Sequence, residues 1–282
     1  MGYQQCLPLQ TPFFSEDTVT VARQLLNGIL CKVDARGLQA FRIVETEAYT
    51  EDDPACHAYQ RKTGRAALFY QKPAMAYVYF VYGMHHCFNI ITEPEGKAGA
   101  VLIRALAPVL LSDTETENPD YYCPPKDADP LKAPSGPARL CKALGITTAN
   151  TNGSPLLLQS LLEKTHYKKS DHQPSSHPLG QKIPANTDSW QAQMAYLKTY
   201  YTALAKAAQR ESLIKKHKAN VPLPFGLFLA CCDLPNPKTG LLLSPDMIVT
   251  TPRVGISKAK DFPWRFYIEG NPYVSGHLLK SV

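Results

Sequence analysis

The chain has 282 residues, of which 44% are hydrophobic and 19% are charged. This composition is that of a globular protein with a large core, and it excludes a disordered chain, a fibre and a coiled coil. The formal charge is +6, but residues 1–130 carry 11 basic and 16 acidic side chains, whereas residues 131–282 carry 19 and 8. The basic second half favours an anionic partner, either nucleic acid or an acidic membrane surface, unless its charges only form a solvated surface.

The cysteines and the N-terminal sequence indicate where the protein resides. The eight cysteines include no Cys-x-x-Cys pair and no zinc-finger spacing, so we expect free thiols in a reducing compartment. The first residues lack the pattern of a secretory signal, and no apolar run approaches the length of a membrane span. We therefore expect an intracellular protein that does not associate with membranes, in the cytoplasm or nucleoid of a bacterium or the nucleus of a eukaryote. The sequence indicates no metal and no organic cofactor.

In the first half of the chain, the apolar spacing predicts one helix followed by several strands. Residues 15–30 have apolar side chains at helical spacing, which predicts a helix capped by Ser15 that ends near Asn27 and Gly28. Four strands follow, and the middle two form a hairpin around a Tyr-Gly-Met turn. The predicted strands are Phe41–Tyr49, Met75–Val81, His86–Thr92 and Ala98–Leu106.

The second half of the chain mixes loops, helices and short strands. Residues 111–137 are acidic and proline-rich and predict an exposed loop, and residues 164–186 have the composition of a linker. A helix is predicted over Ser135–Leu144, with Pro137 in its first turn, and a long amphipathic helix over Thr187–Lys218. The last predicted strands are Leu223–Ala230, Met247–Val249 and Arg265–Ile268. Because there is no regular β-α-β alternation, the expected fold class is α+β.

Two glutamates in the segment FRIVETEAY are the first candidates for chemistry. Glu45 and Glu47 are two residues apart on a predicted strand, so both point to one face. A carboxylate in a partly apolar setting is costly unless it is hydrogen-bonded or used. Two carboxylates on one face suit acid–base work on a glycosidic bond, but they also suit a salt-bridged pair on an exposed edge strand. The spacing leaves both interpretations open.

Aromatic residues crowd the predicted hairpin. Tyr82 lies at its tip, where it is poorly placed for core packing and well placed to wedge between stacked bases. Tyr77 and Tyr79 could hold an extracted base by stacking, or they could simply pack a sheet. Period-two alternation puts these two tyrosines on the face opposite Phe80 and Tyr82, so the four rings cannot share one role.

Seven blocks in chain order together resemble the alkyladenine (3-methyladenine) DNA glycosylase family. They are RIVETEAY, His57, YVYFVYGM followed by CFN, AVLIRALAP, SGPARLCKAL, TPRVGI and WRFYIEGNPYVS. The resemblance runs from about Leu7 to Ser275 and lapses near 111–130 and 155–240, where the chain looks inserted. It implies one domain over residues 1–282, with a curved, mainly antiparallel sheet flanked by helices and a protruding hairpin that enters DNA.

The resemblance implies a hydrolytic mechanism and assigns its residues. Enzymes of this family flip alkylated or deaminated purines out of duplex DNA and cut the N-glycosidic bond with water. Their substrates include 3-methyladenine, 7-methylguanine, hypoxanthine and ethenoadenine. Glu47 matches the general base, and Arg104 and the carbonyl of Val254 match the groups that hold the attacking water. No lysine falls in the matching pocket blocks, so the enzyme is expected to be monofunctional and to leave an abasic site.

The resemblance also assigns the base pocket and the wedge. Tyr49 matches one wall of the pocket, and His57 and Tyr79 match the other. Asn89 matches the residue that clashes with the 2-amino group of ordinary guanine. Tyr82 matches the side chain that fills the vacated space in the base stack.

Two positions depart from the family pattern, and two other functions compete with the assignment. His85 and His86 stand where an aromatic residue is common, and Ala66 stands where asparagine is common, which leaves the preferred lesion open. One alternative is a non-catalytic binder of damaged DNA or structured RNA, but both Glu47 and Arg104 are present. The other is a glycosidase for small molecules, which would not need Tyr82 at a hairpin tip. The expected partner is double-stranded DNA with a damaged purine, bound by a monomer.

Overall fold

A computed structural model describes residues 7–35, 37–108, 134–158, 225–231 and 244–276, and the single residues 160, 199, 202 and 206. Within these residues there are nine strands: β1 (Leu7–Pro8), β2 (Ile29–Asp34), β3 (Gly37–Thr50), β4 (Ala76–Val81), β5 (His85–Ile91), β6 (Gly99–Pro108), β7 (Gly226–Cys231), β8 (Ile248–Thr251) and β9 (Arg265–Ile268). The α-helices are α1 (Thr11–Phe14), α2 (Thr18–Gln24), α3 (Pro137–Leu144) and α4 (Thr148–Thr151), and there are 3-10 helices at Gly64–Tyr70 and Pro245–Met247.

All nine strands belong to one antiparallel sheet in the order β1-β7-β2-β3-β6-β5-β4, with β9 paired to β3 and β8 to β9. The long strand β3 pairs with β2 over its first half, up to Arg42, and with β9 from Glu45 to Glu47. This change of partner accompanies a curled, half-barrel shape. The predicted α+β class, with a curved and mainly antiparallel sheet, is therefore confirmed.

An irregularity in β3 determines which face each of its side chains occupies. The register with β6 shifts between Ile43 and Glu45, and again between Glu45 and Thr46. Ile43 lies in the main core before the shift, and Val44 lies in the same core after it. Because a bulge reverses the alternation of side chains, the odd-numbered residues beyond it turn to the other face of the sheet.

The two faces of the sheet carry different clusters. The main core contains Phe14, Val21, Leu25 and Phe88, all fully buried, and α2 packs on β3 and β6 while α3 packs on β5 and β6. The smaller cluster on the other face joins Phe69 and Ala66 of a 3-10 helix to Tyr77 and Ile91, with Tyr49 and Tyr79 packed against it. The smaller cluster thus forms an aromatic floor beside Glu47.

The outer edge of β4 is paired with the residues that follow α4. The side-chain oxygen of Asn152 accepts the N–H of Val78 at 2.9 Å, and the carbonyl of Ser154 accepts the N–H of Ala76 at 2.8 Å. The N–H of Leu156 donates to the carbonyl of Ala74 at 2.8 Å. These bonds cover the first half of the edge strand β4, up to Val78, while its second half leads to the hairpin turn.

Most predicted strands are confirmed, and the start of the first helix is corrected. β9 has the predicted bounds, and β4 and β5 form the predicted hairpin. The predicted Ser15 cap is wrong, because Ser15 ends α1 and Asp17 caps α2 by accepting the N–H of Thr20 at 2.9 Å. The predicted helix, which was expected to end near Asn27 and Gly28, is confirmed by α2, but α2 ends earlier, at Gln24, and α1 precedes it.

Several predictions concern residues outside the described ranges. These include residues 111–133 of the loop predicted at 111–137, the linker at 164–186 and almost all of the helix at 187–218, of which Thr199, Thr202 and Lys206 are described and helical. The stretch predicted as inserted, 155–240, contains β7, which pairs with both β1 and β2. In the part of the chain that the structure describes, no helix has the length and apolar character to cross a membrane.

Candidate active site

Glu47 is fully buried and accepts three hydrogen bonds or ion-pair contacts from different elements. Its Oε1 lies 3.2 Å from a guanidinium nitrogen of Arg104 and accepts the backbone N–H of Val254 at 2.8 Å. Its Oε2 accepts the hydroxyl of Tyr49 at 2.8 Å. Each carboxylate oxygen of Glu47 thus accepts one described hydrogen bond, and the contact with Arg104 is an ion pair.

Glu45 lies on the same face, two residues earlier, and its carboxylate is more completely enclosed. Its Oε1 accepts from Nε of Arg104 and Nε of Arg265, both at 2.7 Å, and from the hydroxyl of Ser275 at 2.8 Å. Its Oε2 accepts the backbone N–H of Ser275 at 2.7 Å. Burial acts to raise the pKa of Glu45, but the two arginines and Ser275 outweigh it and hold this pKa below its usual range. The alternative of an exposed edge strand is wrong for both carboxylates.

Arg104 of β6 connects the two carboxylates. It faces Glu45 through Nε and Glu47 through a terminal nitrogen, and another terminal nitrogen donates to Ser275 at 3.2 Å. Burial opposes its charge, but the two carboxylates outweigh that effect and raise the pKa of Arg104. The guanidinium is therefore permanently charged, and its fork geometry holds the carboxylates in a fixed relation.

Aromatic rings stand beside Glu47 on the same face of the sheet. His57 meets Tyr79 edge to face with ring centroids 4.6 Å apart, and its Nδ1 lies 2.7 Å from the hydroxyl of Tyr77. Tyr77 and Tyr79 stack at 5.4 Å. The structure thus brings the rings of His57 and Tyr79 into contact, while Tyr49 packs on the same cluster next to Glu47.

The protonation of these rings follows from their burial. Desolvation and the nearby Glu47 raise the pKa of Tyr49, so its hydroxyl stays protonated and donates to the carboxylate. Burial first, and then Arg65 and Arg61, lower the pKa of His57, so its imidazole is neutral at neutral pH. The pocket wall therefore carries no positive charge from His57.

The hairpin between β4 and β5 presents exposed apolar side chains at its tip. Tyr82 is 84% exposed, and Met84 and Phe80 are also exposed. The φ angles of Tyr82 and Gly83 are 51° and 67°, and the N–H of Met84 donates to the carbonyl of Val81 at 3.2 Å. Positive φ at a bulky residue is unfavourable, so an exposed tyrosine in this conformation calls for a role outside the fold.

Asn89 and the two departures from the family pattern occupy distinct places. Asn89 is buried, pairs with Leu102 of β6 and donates from its side-chain amide to the carbonyl of Tyr77 at 3.1 Å. Because Leu102 also pairs with Glu47, Asn89 lies in the same cross-strand row as the carboxylate. Ala66 is buried in the smaller cluster, and His86 packs against Phe80 with ring centroids 5.0 Å apart.

A cavity of about 650 Å³ opens beside His57. Its lining includes three cationic side chains, Arg61, Arg65 and Lys258, together with Gln60 and Thr63. A concave surface with several cations next to an aromatic pocket suits the sugar–phosphate backbone of a nucleic acid. Two of these three cations, Arg61 and Arg65, come from the acidic first half of the chain. Of the 19 basic residues in the second half, 12 lie outside the described ranges.

The sequence analysis did not assign a role to Arg253, Asp53 or Arg265. Arg253 and Asp53 form a buried ion pair next to Val254, and Arg265 binds Glu45. Arg253 and Arg265 both lie inside the blocks TPRVGI and WRFYIEGNPYVS, where an arginine amid apolar and aromatic residues is a signal of a buried pair. Their partners could not be read from the sequence, because Asp53 is 200 residues from Arg253.

These features together form a candidate active site: a buried carboxylate and arginine next to a cluster of aromatic rings, with a cavity lined by cations beside His57. Comparison with known proteins identifies the class. A family described as Methylpurine-DNA glycosylase matches residues 12–180. A protein of Methanoculleus marisnigri is 32% identical over 269 residues, which cover 95% of this chain and 99% of that protein. A protein of Carboxydothermus hydrogenoformans is 32% identical, with 95% and 98% covered. Both carry 3-methyladenine DNA glycosylase as a provisional name.

A third relative, from Anaeromyxobacter dehalogenans, carries the same provisional name and is 42% identical over 151 residues, or 53% of this chain and 64% of that protein. The chain belongs to the methylpurine-DNA glycosylase family. It is a DNA glycosylase of DNA repair, a hydrolase of N-glycosyl bonds that acts on DNA.

Proposed function

We propose that this enzyme flips alkylated or deaminated purines out of duplex DNA and hydrolyses the N-glycosidic bond. The proposed substrates are 3-methyladenine, 7-methylguanine, hypoxanthine and ethenoadenine. The observation that carries the proposal is the buried Glu47 carboxylate, held by Arg104, Tyr49 and the Val254 N–H beside an aromatic pocket. A base extracted from the duplex would bring its sugar next to this carboxylate.

In the proposed step, Glu47 activates a water molecule. The water oxygen attacks C1′ of the sugar, the C1′–N bond breaks with its electron pair passing to the base, and Glu47 accepts the proton that the water loses. Each carboxylate oxygen accepts one described hydrogen bond, so an acceptor position remains for that proton. The negative charge of Glu47 also stabilises the oxocarbenium character of the sugar.

The proposed pocket holds the flipped base between Tyr49 on one side and His57 with Tyr79 on the other. Because His57 is neutral, these walls suit a cationic base such as 3-methyladenine or 7-methylguanine as well as a neutral one. The buried Asn89 is in the row of Glu47 and is proposed to exclude the 2-amino group of ordinary guanine. A cationic lesion leaves readily, whereas hypoxanthine requires protonation of the base as it leaves.

Tyr82 is the proposed wedge that fills the vacated space in the base stack. Its exposure and its positive φ support this role, because packing in the fold explains neither. The cations Arg61, Arg65 and Lys258 are proposed to contact phosphates near the flipped nucleotide. We propose that the enzyme acts as a monomer, in the compartment that holds the DNA.

The enzyme is proposed to be monofunctional. Strand-cleaving glycosylases attack the sugar with an amine and pass through a Schiff base. The described partners of Glu47 are a guanidinium, a phenol and a backbone amide, none of which can act as that nucleophile. Water is therefore the nucleophile, and an intact strand with an abasic site is the product.

A duplex with one hypoxanthine and a matched duplex with one 7-methylguanine test the function. After incubation with the enzyme, the strands are separated either directly or after mild alkali treatment, with an undamaged duplex and each lesion duplex without enzyme as controls. We expect strand breaks at the lesion only after alkali. Breaks without alkali, together with a protein–DNA adduct trapped by borohydride, would show a lyase, with Lys258 as the first residue to substitute. Tight lesion binding without base release would show a non-catalytic binder.

A further inference from the structure

Arg253 is a buried cation that touches three separate parts of the chain. It forms an ion pair with Asp53, and both side chains are fully buried. One terminal nitrogen donates to the carbonyl of Ala48 at 2.9 Å, at the end of β3, and the other lies 2.9 Å from Oδ1 of Asp53. The second nitrogen also lies 3.4 Å from the carbonyl of Ala259, beyond Val254. Arg253 therefore ties the loop that carries Val254 to the strand that carries Glu47.

The same guanidinium packs on the ring of Tyr49. Its central carbon lies 4.6 Å from the centroid of that ring and 5.2 Å from the centroid of Trp264. Glu47 has three described partners, and Arg253 is next to two of them. Its guanidinium packs on Tyr49, whose hydroxyl is one partner, and the next residue in the chain is Val254, whose backbone N–H is another.

The stability of the fold gives a poor account of this arrangement. A buried ion pair contributes little net stability, because removing both charges from water costs about as much as their attraction returns. Nε of Arg253 is also buried and has no hydrogen-bond partner among the described residues, which adds a further cost. An apolar side chain would fill the space without that cost, so the charge and the planar fork of arginine require another reason.

We infer that Arg253, anchored by Asp53, is a positioning residue that aims the Tyr49 hydroxyl and the Val254 N–H at Glu47. It does not touch the reacting atoms. It fixes the orientation of the carboxylate relative to the water and the sugar. This inference rests on the proposed role of Glu47 as general base.

The test measures rate per active molecule in the full-length protein. Active enzyme is first titrated with a duplex that contains an uncleavable abasic-site analogue. Single-turnover release of 7-methylguanine is then measured for the wild type, Arg253→Met and Arg253→Lys. We expect Arg253→Met to lower the rate constant about 100-fold, which is the typical cost of displacing a catalytic group by about 1 Å. Arg253→Lys keeps the charge but loses the fork, so we expect a loss of about 10-fold.

Lys32→Met is the matched control. Lys32 and Asp34 form another buried ion pair, 3.7 Å apart on β2, outside the site. Its substitution tests the loss of a buried cation without a change near Glu47. We expect the rate constant per active molecule to stay within about threefold of the wild type, even if the active fraction falls.

The possible outcomes separate the inference from the proposed function. A purely structural role predicts that Arg253→Met lowers only the active fraction, as Lys32→Met does, and that result would overturn the inference while leaving the proposed function intact. If Arg253→Met does not fold, Arg253→Lys decides, and a wild-type rate per active molecule again overturns it. If the wild type releases no base, the proposed function fails, and the inference fails with it.

Discussion

Glu45 and Glu47 lie two residues apart on β3, both are fully buried, and Arg104 contacts both. Their other partners differ. Glu45 has a second arginine and both the hydroxyl and the N–H of Ser275, so four donors surround its carboxylate. Glu47 has the neutral donors Tyr49 and Val254, and Val254 is half exposed at the surface.

The difference shows how one strand can carry two carboxylates in different electrostatic settings. Glu45 is held in its charged form by two arginines and accepts four described hydrogen bonds. Glu47 shares one of these arginines, and its two described hydrogen bonds come from neutral donors. We therefore expect substitutions at Glu45 to affect mainly stability and substitutions at Glu47 to affect mainly catalysis.

Glu47→Gln should have the largest effect. The amide cannot accept a proton from water, so single-turnover base release should fall by about 1,000-fold, within the usual range for loss of a general base. Binding to a lesion duplex should persist, since the pocket and the wedge are unchanged. Base release within tenfold of the wild-type rate would show that Glu47 is not the general base.

Glu45→Gln should have the next largest effect, on the free energy of unfolding. It removes the charge that compensates Arg104 and Arg265, and breaking a buried pair in this way costs about 3 kcal/mol. Urea unfolding followed by circular dichroism measures this loss, with Glu47→Gln as the matched control. A larger loss of stability in Glu47→Gln than in Glu45→Gln would reverse the comparison.

The pH dependence of stability should reveal the same carboxylate. The folded pKa of Glu45 is lowered, so its contribution to stability is present above the unfolded pKa of about 4.3 and is lost as pH falls through the lower folded pKa. Urea midpoints measured from about pH 6 down to about pH 3 should therefore fall more steeply for the wild type than for Glu45→Gln. Parallel curves would contradict the lowered pKa.

Arg265→Met should have the smallest effect and should separate the two arginines. Arg265 pairs with Glu47 across β3 and β9, but its side chain binds Glu45 and has no described hydrogen bond or ion pair with the Glu47 carboxylate, whereas Arg104 contacts both carboxylates. Arg265→Met removes the charge-assisted hydrogen bond to Glu45 and two longer bonds, to Thr251 at 3.3 Å and to the carbonyl of Ser275 at 3.4 Å. We expect a cost of about 2 kcal/mol, measured by urea unfolding. Base release per folded molecule should stay within about threefold of the wild type, and a much larger drop would place Arg265 in the catalytic machinery.

The sequence predicts most of the sheet because its strands have clear apolar patterns. The hairpin of β4 and β5 and the strand β9 are examples. The bulge in β3 was missed, although the apolar positions change phase there, from Phe41 and Ile43 to Val44 and Ala48. The helix α1 was missed because its four residues, Thr11–Phe14, are too few to show a helical spacing of apolar side chains.

The candidate site is predictable in part for a similar reason. Alternation puts Glu45 and Glu47 on one face, but their different partners come from β6, from β9 and from the loops around Val254 and Ser275. The pair Asp53–Arg253 joins residues 200 positions apart, and no local pattern identifies it. The local sequence pattern therefore identifies the candidate residues, and the tertiary contacts determine which hydrogen-bond and ion-pair partners each of them has.

The hydrogen bonds along the first half of β4 have a consequence for the hairpin that the strand forms with β5. They hold β4 at Ala76 and Val78, near the start of the strand, while the turn at Tyr82 projects beyond them. The base of the hairpin is thus held by hydrogen bonds on both sides, whereas its tip is exposed. Changes at exposed Phe80 or Met84 are therefore expected to leave the aromatic cluster at the base of the hairpin unchanged.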